Sequence, residues 1–173
     1  MGIFNTVLTV LESILLPHGI TSAEAGIIGA VFVVAGVVGA VLLPLASDKR
    51  GVRIPFFVGS IILLIPAYLG FAFVHQFVLL LGIAALAGFT IMGVAPILFQ
   101  HGSEVAYPIQ EGTSLGIILL MGQISGIVFV YLFEQLNDGF ASPVVPMLLI
   151  VAVTALELPF VLRIKESRLN QQH

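Results

Sequence analysis

The sequence contains no cysteine and very few charged residues. Without cysteine, a disulfide framework and thiolate metal sites are excluded. Charged residues make up 9 % of the chain, whereas a soluble domain carries about 25 %. Hydrophobic residues account for 59 %, and the mean hydropathy is +1.18. So few charges cannot cover a surface in water, and the sequence therefore predicts a multi-pass protein of the lipid bilayer.

Other classes of function also lack their signatures. No basic stripe indicates nucleic-acid binding. No HExxH or Walker pattern is present, and we expect neither an enzyme nor a cofactor. His101 and Glu104 are three residues apart, but two ligands do not make a metal site. Residues 1–16 lack a basic n-region and a small-residue cleavage site, which argues against a cleavable signal.

Six apolar runs indicate six transmembrane helices in a single bundle over residues 1–173. Backbone groups cannot stay unpaired in hydrocarbon, so each run should be an α-helix. Five runs reach the about 20 residues that cross a core of about 30 Å. The first is shorter, which predicts either a short helix in a thinned bilayer or a chain that starts inside a once longer helix. The predicted helices are 3–16, 25–46, 54–74, 77–99, 113–133 and 143–162.

The basic residues predict the orientation. They form two clusters, one between the second and third runs and one after the sixth, made of Lys49, Arg50, Arg53, Arg163, Lys165 and Arg168. Four crossings separate the clusters, so both should lie on one side. The positive-inside rule makes that side cytoplasmic, with both termini there, and we expect the cell membrane as the location.

Small residues recur at four-residue spacing in three of the runs, which permits close helix packing. The pairs are Gly112 and Gly116, Gly122 and Gly126, and Ala84 and Gly88, with Gly29, Gly36, Gly39 and Ala40 in the second run.

The loop after the second run carries a charged motif. Asp48 ends an apolar helix, and Gly51 permits a tight reversal into the next one. An aspartate at a helix end can pair with an arginine opposite and latch two helices in one state. A plain cytoplasmic loop that follows the positive-inside rule is the alternative.

This loop resembles the motif Gly-x-Leu-Ala-Asp-Arg-x-Gly-Arg-Lys of the major facilitator superfamily, in its second-half copy. Asp48, Lys49, Gly51 and Arg53 match, whereas Pro44 and Val52 depart from the pattern. The resemblance implies a gating loop, to which Arg50 also belongs.

A second pattern fixes nine positions that extend from the loop after the fourth run into the fifth run. They are Glu104, Tyr107, Pro108, Glu111, Gly112, Ser114, Gly116, Gln123 and Gly126. The pattern resembles the feline leukaemia virus subgroup C receptor-related (heme/choline-type) transporters, where the same stretch joins helices ten and eleven. Phe4-Asn5 in the first run extends the resemblance. It implies an all-α fold equal to the C-terminal half of a major facilitator protein, a 3+3 inverted repeat with no counterpart of the first six helices.

Physical chemistry gives some of these positions a structural alternative. Glu111 lies in the first turn of the fifth run, where the helix dipole favours a negative charge by about 0.3–1 kcal/mol. Proline at 108 keeps Tyr107 out of a helix. Capping and loop stiffening therefore stand beside any functional role.

Polar residues inside the runs are the candidates for a substrate cavity. Gln123 shares one helix face with Gly112, Gly116 and Glu134, all within about 40° at about 100° per residue. An interhelical hydrogen bond, worth about 0.6 kcal/mol, and a substrate contact at mid-membrane both remain open. Glu12 is an intramembrane acid, a functional candidate by default, although it lies near the interface.

In the resembling family a glutamine at the position of Gln123 lines the central cavity. With Phe4, Asn5 and Glu12 it completes the predicted cavity wall. Together these patterns predict a half-transporter that moves a small organic solute by alternating access. It would pair with an N-terminal half or with a second copy of this chain. A non-transporting membrane scaffold, or an inactive fragment, is the alternative.

Overall fold

The computed structural model describes residues 2–140 and 142–164, apart from the side chain of residue 4. In that part of the chain every regular element is helical. The α-helices are α1 (Gly2–Thr9), α2 (Leu11–Leu15), α3 (Ser22–Arg50), α4 (Ile54–Phe73), α5 (Phe77–Val105), α6 (Glu111–Phe140) and α7 (Val144–Val161). A 3₁₀ turn at Leu16–His18 links α2 to α3.

Five of these helices, α3 to α7, are long and apolar enough to cross a membrane, with 18 to 30 residues each. The segment predicted as a sixth span is different, because it is broken into α1, α2 and the 3₁₀ turn. At Val10 the backbone leaves helical geometry, with φ −97° and ψ 9°. Pro17 then lies in the 3₁₀ turn, where it has no amide N–H to continue a helix. The predicted continuous helix over 3–16 is therefore a bent pair of short helices.

The ends of α3 lie outside its apolar run because local chemistry extends the helix. Thr21 and Glu24 form a capping box, in which the threonine backbone N–H donates to the glutamate carboxylate at 2.9 Å. This box satisfies amide groups that would otherwise lack partners at the helix start. At the other end Gly51 adopts φ 62°, the left-handed conformation that stops the helix and turns the chain toward α4.

The helices pack in pairs around a core of buried apolar side chains. α3 packs along α5, α1 along α6, and α4 against both α5 and α7. The largest fully buried side chains are Tyr68, Phe32, Phe71, Phe133, Ile14 and Leu15.

Two glycines set the distance between α3 and α5. A Cβ atom at Gly39 would collide with the backbone of Phe89, and one at Gly88 would collide with the backbone of Phe32. The two helices thus meet backbone to backbone, as the small-residue spacing predicted for the second and fourth runs. The expectation was wrong for the first glycine pair of α6, since a Cβ at Gly112 or Gly116 would meet nothing within 4 Å.

The helix α1 covers only part of α6. Gly2 lies against Ser125 and Gly126, near the middle of the thirty-residue helix α6. The end of the bundle that carries Lys49, Arg50, Arg53 and Arg163 is called the basic end below. From Gly2, α1 runs alongside the half of α6 that is remote from the basic end.

We expect Gly88→Ala to destabilise the protein by about 1–3 kcal/mol, because the added methyl group overpacks a backbone contact. Gly82→Ala is the matched control on the same helix, since a Cβ there would meet nothing within 4 Å. It should be neutral or stabilising by up to about 1 kcal/mol. Thermal unfolding of the purified variants in detergent measures both, and equal melting temperatures would contradict the proposed contact.

Candidate functional site

A groove of about 550 Å³ lies between α1 and α6 on the surface of the bundle. The polar residues that line it are Asn5, Thr9, Gln123, Tyr131 and Glu134. The two helices run side by side, so residues one or two turns apart along each of them face the same groove.

A hydrogen bond between α1 and α6 forms the centre of the groove. The Nδ2 group of Asn5 donates to Oε1 of Gln123 at 2.8 Å. A Cβ at Gly126 would lie 3.4 Å from the Cβ of Asn5, so glycine leaves room for this approach. Gln123 keeps an exposed side chain, and no described residue accepts a hydrogen bond from its amide nitrogen. The pair thus combines the interhelical bond with a polar surface turned toward the groove.

Toward the end remote from the basic residues, the groove is lined by Tyr131 and Glu134. Both side chains are exposed. The periodicity placed Glu134 on the face of Gln123, but it did not single out Tyr131. The signal was present, because Tyr131 is eight residues after Gln123 and lies about 80° away around the helix. The groove therefore offers an amide pair at its centre. At the end remote from the basic residues it offers a carboxylate beside an aromatic ring.

The structure does not bring every predicted cavity residue into this groove. Glu12 lies exposed on α2 and is absent from the groove lining. Phe4 belongs to α1, but its side chain lies outside the described part of the chain. Asn5 and Gln123 are the two predicted cavity residues that meet.

A second polar cluster surrounds Arg53, whose side chain is only 3 % exposed. Its guanidinium donates to both carboxylate oxygens of Glu104, from Nη2 at 2.6 Å and from Nε at 3.2 Å. Its Nη1 donates to Oε1 of Gln100 at 2.9 Å. The same Nη1 lies 3.5 Å from Oδ1 of Asp48. This cluster ties the turn between α3 and α4 to the end of α5.

The sequence placed Asp48 and Arg53 in a latch, and the structure adds Glu104 as the closer partner. The Glu104 side chain is 17 % exposed and that of Asp48 is 53 % exposed. Gln100 was missed, although it lies four residues before Glu104 and therefore on the same face of α5.

The other motif residues lie around this end of the bundle. Lys49 and Arg50 are exposed in the last turn of α3, and Tyr107 and Pro108 are exposed between α5 and α6. Glu111 begins α6, and its carbonyl accepts a hydrogen bond from the Ser114 hydroxyl at 2.9 Å. Over the described residues, no group of three His, Cys, Asp or Glu side chains is placed to hold a metal ion.

Comparison with known proteins gives a consistent result. The chain is 32 % identical over 146 residues to solute carrier family 49 member A3 of Xenopus tropicalis, covering 82 % of this chain and 30 % of that protein. It is 31 % identical over 151 residues to the choline/ethanolamine transporter FLVCR1 of Mus musculus, covering 82 % and 26 %. It is 26 % identical over 166 residues to an uncharacterized protein of Archaeoglobus fulgidus, covering 96 % and 75 %. No protein-family model matches the chain.

The apolar helices and these matches define a multi-pass membrane protein whose relatives include named transporters. More particularly, the chain is a relative of the feline leukaemia virus subgroup C receptor-related transporters within the major facilitator superfamily. It spans less than a third of the length of the animal relatives described above.

We expect Glu104→Gln to lower stability by about 3–5 kcal/mol, because it leaves the buried Arg53 guanidinium without its carboxylate. Asp48→Asn should cost less than about 1 kcal/mol, since that carboxylate is more distant and half exposed. Thermal unfolding in detergent compares the two variants. An Asp48→Asn effect as large as that of Glu104→Gln would show that Glu104 is not the main partner.

Proposed function

We propose that the chain is one half of a transporter of the major facilitator type. It moves a small organic solute by alternating access, together with a second six-helix half. The observation that carries the proposal is the exposed Asn5–Gln123 pair in the groove between α1 and α6. In a bilayer such amide groups need protein or water beside them, because hydrocarbon offers no hydrogen bonds.

Three of the main helix pairings agree with a 3+3 repeat, whereas the pairing of α4 with α5 does not. In such a repeat the first three spans correspond in order to the last three. The broken first segment then corresponds to α5, α3 to α6, and α4 to α7. The contact of α3 with α5 then corresponds to the contact of α6 with α1, and both contacts are present. The contact of α4 with α7 maps onto itself and is present as well. Inverted repeats of this kind form each half of a major facilitator transporter.

The cluster around Arg53 suits a latch at the basic end, which we assign to the cytoplasmic side of the cell membrane by the positive-inside rule. Asp48 is exposed and 3.5 Å from the guanidinium, whereas Glu104 holds the same group closely. A partner that moves against this surface can therefore replace Arg53 as the contact of Asp48 without breaking the ion pair between Arg53 and Glu104. Release of the weaker contact would accompany the change between the two access states.

An organic amine is the solute class that the groove favours. Two observations support it: Glu134 supplies a negative charge, and Tyr131 supplies an aromatic face beside it. Cations bind to aromatic faces within about 6 Å. A choline/ethanolamine transporter is among the relatives. The chain has no tryptophan, so further aromatic contacts would come from the second half.

The partner is a complementary half or a second copy of this chain. A second copy would repeat the Asn5–Gln123 face across the gap, whereas a distinct half would present different residues there. The chain also covers 75 % of its archaeal relative, so only about a quarter of that relative lies outside the aligned region. A unit of this size is therefore not confined to the longer relatives.

Reconstitution in liposomes tests the proposed function. We expect the purified chain, co-reconstituted with a candidate second half, to take up radiolabelled choline or ethanolamine above empty vesicles. Gln123→Ala should reduce the initial rate at least tenfold, because it removes the amide from the groove. Ile124→Ala is the matched control, since Ile124 is exposed on the same helix and does not line the groove.

Two outcomes would contradict the proposal. The first is a solute flux no higher than that of empty vesicles, both for the chain alone and for the chain with the second half. This result would favour a membrane scaffold. Equal rates for Gln123→Ala and Ile124→Ala would show that the groove does not contact the solute.

A further inference from the structure

Two histidine rings meet at the end of the bundle that is remote from the basic end. His18 lies in the 3₁₀ turn that follows α2, and His75 lies in the turn between α4 and α5. The centroids of the two rings are 4.3 Å apart, and the ring planes are inclined by 42°. The contact therefore joins two turns that are distant in sequence and lie outside the membrane-spanning helices.

Both turns adjoin the buried core. Leu15 and Ile20, which flank the first turn, are buried, and so are Phe71 and Ala72, which come shortly before His75. All four belong to one cluster of buried apolar side chains. Because each turn adjoins core residues, separation of the two rings would open the edge of the core to water.

The surroundings of His18 suit a neutral ring. The side chain is half-buried, and its Nδ1 atom is buried and has no hydrogen-bond partner among the described residues. A neutral imidazole leaves one of its nitrogens without a proton, whereas a protonated imidazole carries an N–H donor on both nitrogens. Protonation in this position would therefore create a buried donor without an acceptor, which is costly unless the ring moves.

The same surroundings disfavour the charge itself. Burial lowers the pKa of His18 below its ordinary value, and the neighbouring His75 lowers it further, whereas the backbone of Val74 has a smaller, opposite effect. Among the described residues, no carboxylate forms an ion pair with either ring. Two protonated rings at this distance would therefore repel each other with no ion pair to offset the repulsion.

The elements packed around the two rings supply little other charge. α2 carries Glu12, which is exposed, and α3 begins with Glu24, whose carboxylate is engaged in the capping box. α4 contributes Tyr68, a neutral phenol in the core, and the first half of α5 has no titratable side chain. The charged group that acts on His18 is accordingly His75 rather than either acid.

We propose that His18 and His75 form a pH-sensitive contact, which is closed while at least one ring is neutral and opens when both rings are protonated. The open state separates the turn after α2 from the turn between α4 and α5. Because α2 follows α1, which lines the groove, opening also loosens that end of the groove wall. The contact itself does not depend on the proposed function.

The closed contact contributes stability that is lost as the pH falls. An unfolded histidine has a pKa of about 6.5, and the pKa of His18 in the closed structure is lower. In the pH range between these two values the open or unfolded chain binds more protons than the closed one. The loss of stability therefore begins as the pH falls through about 6.5, and it is complete below the lowered pKa of His18.

Hydrogen exchange of the full chain in detergent tests the proposal, at about pH 7.5 and about pH 5.5, on either side of the ordinary histidine pKa. The rates are corrected for the intrinsic pH dependence of amide exchange. We expect the amides of residues 16–20 and 74–80 to exchange about tenfold faster at the lower pH, because opening exposes them. In the double variant His18→Gln with His75→Gln, the corrected rates at the two pH values should be equal.

Gln76→Ala is the matched control, since Gln76 is exposed in the same turn as His75 and does not titrate. It should keep the pH dependence of the unmodified chain. Equal pH dependence in the unmodified chain and in the double variant would overturn the proposal. A loss of pH dependence in Gln76→Ala would also overturn it, because the turn rather than the histidine charge would then control opening.

A second measurement uses the unmodified chain and does not depend on the folding of a variant. The imidazole signals of labelled histidine are followed by nuclear magnetic resonance as the pH is lowered. We expect His18 to titrate below about 6.5, over the pH range in which hydrogen exchange accelerates. A His18 signal that titrates at or above the ordinary value would overturn the proposal.

Discussion

Polar groups that are buried in protein or face lipid have no water to bond with, and this constraint governs each part of the structure that carries an inference. The chain meets it in two ways. Arg53 is buried and receives a bidentate carboxylate and an amide oxygen within one cluster. Asn5 and Gln123 bond to each other while remaining beside an open groove. The first arrangement is complete within the chain, whereas the second needs protein or water to cover it.

The sequence predicted the class of fold because apolar length alone decides it. Runs of about 20 apolar residues must be helices in lipid, and α3 to α7 followed from that. The ends of α3 were not predicted, because the Thr21–Glu24 capping box extends the helix beyond its apolar run. The break at Val10 gave no signal either, since neither proline nor glycine, the usual residues at a helix kink, stands there.

The candidate site was predicted in its residue types more than in its pairings. Helical phase placed Gln123 on an inward face, but its bond to Asn5 depends on how α1 lies on α6. Asp48 and Arg53 were linked by their proximity in sequence, whereas Glu104 is fifty-one residues from Arg53. The spacing of Gly112 and Gly116 permits a helix to pack closely, but it does not show whether a helix lies there. In the described structure none does, since a Cβ at either glycine would meet nothing within 4 Å.

The distribution of exposed residues indicates which side of the bundle the proposed second half would cover. α3 exposes a row of valines, among them Val34, Val37 and Val41, and lipid covers such a surface without cost. The α1–α6 side instead exposes an amide, a tyrosine and a carboxylate, for which lipid offers no compensation. A second half therefore gains most by covering α1 and α6. That surface contains the groove, which a pair of partner helices laid along α1 and α6 would close.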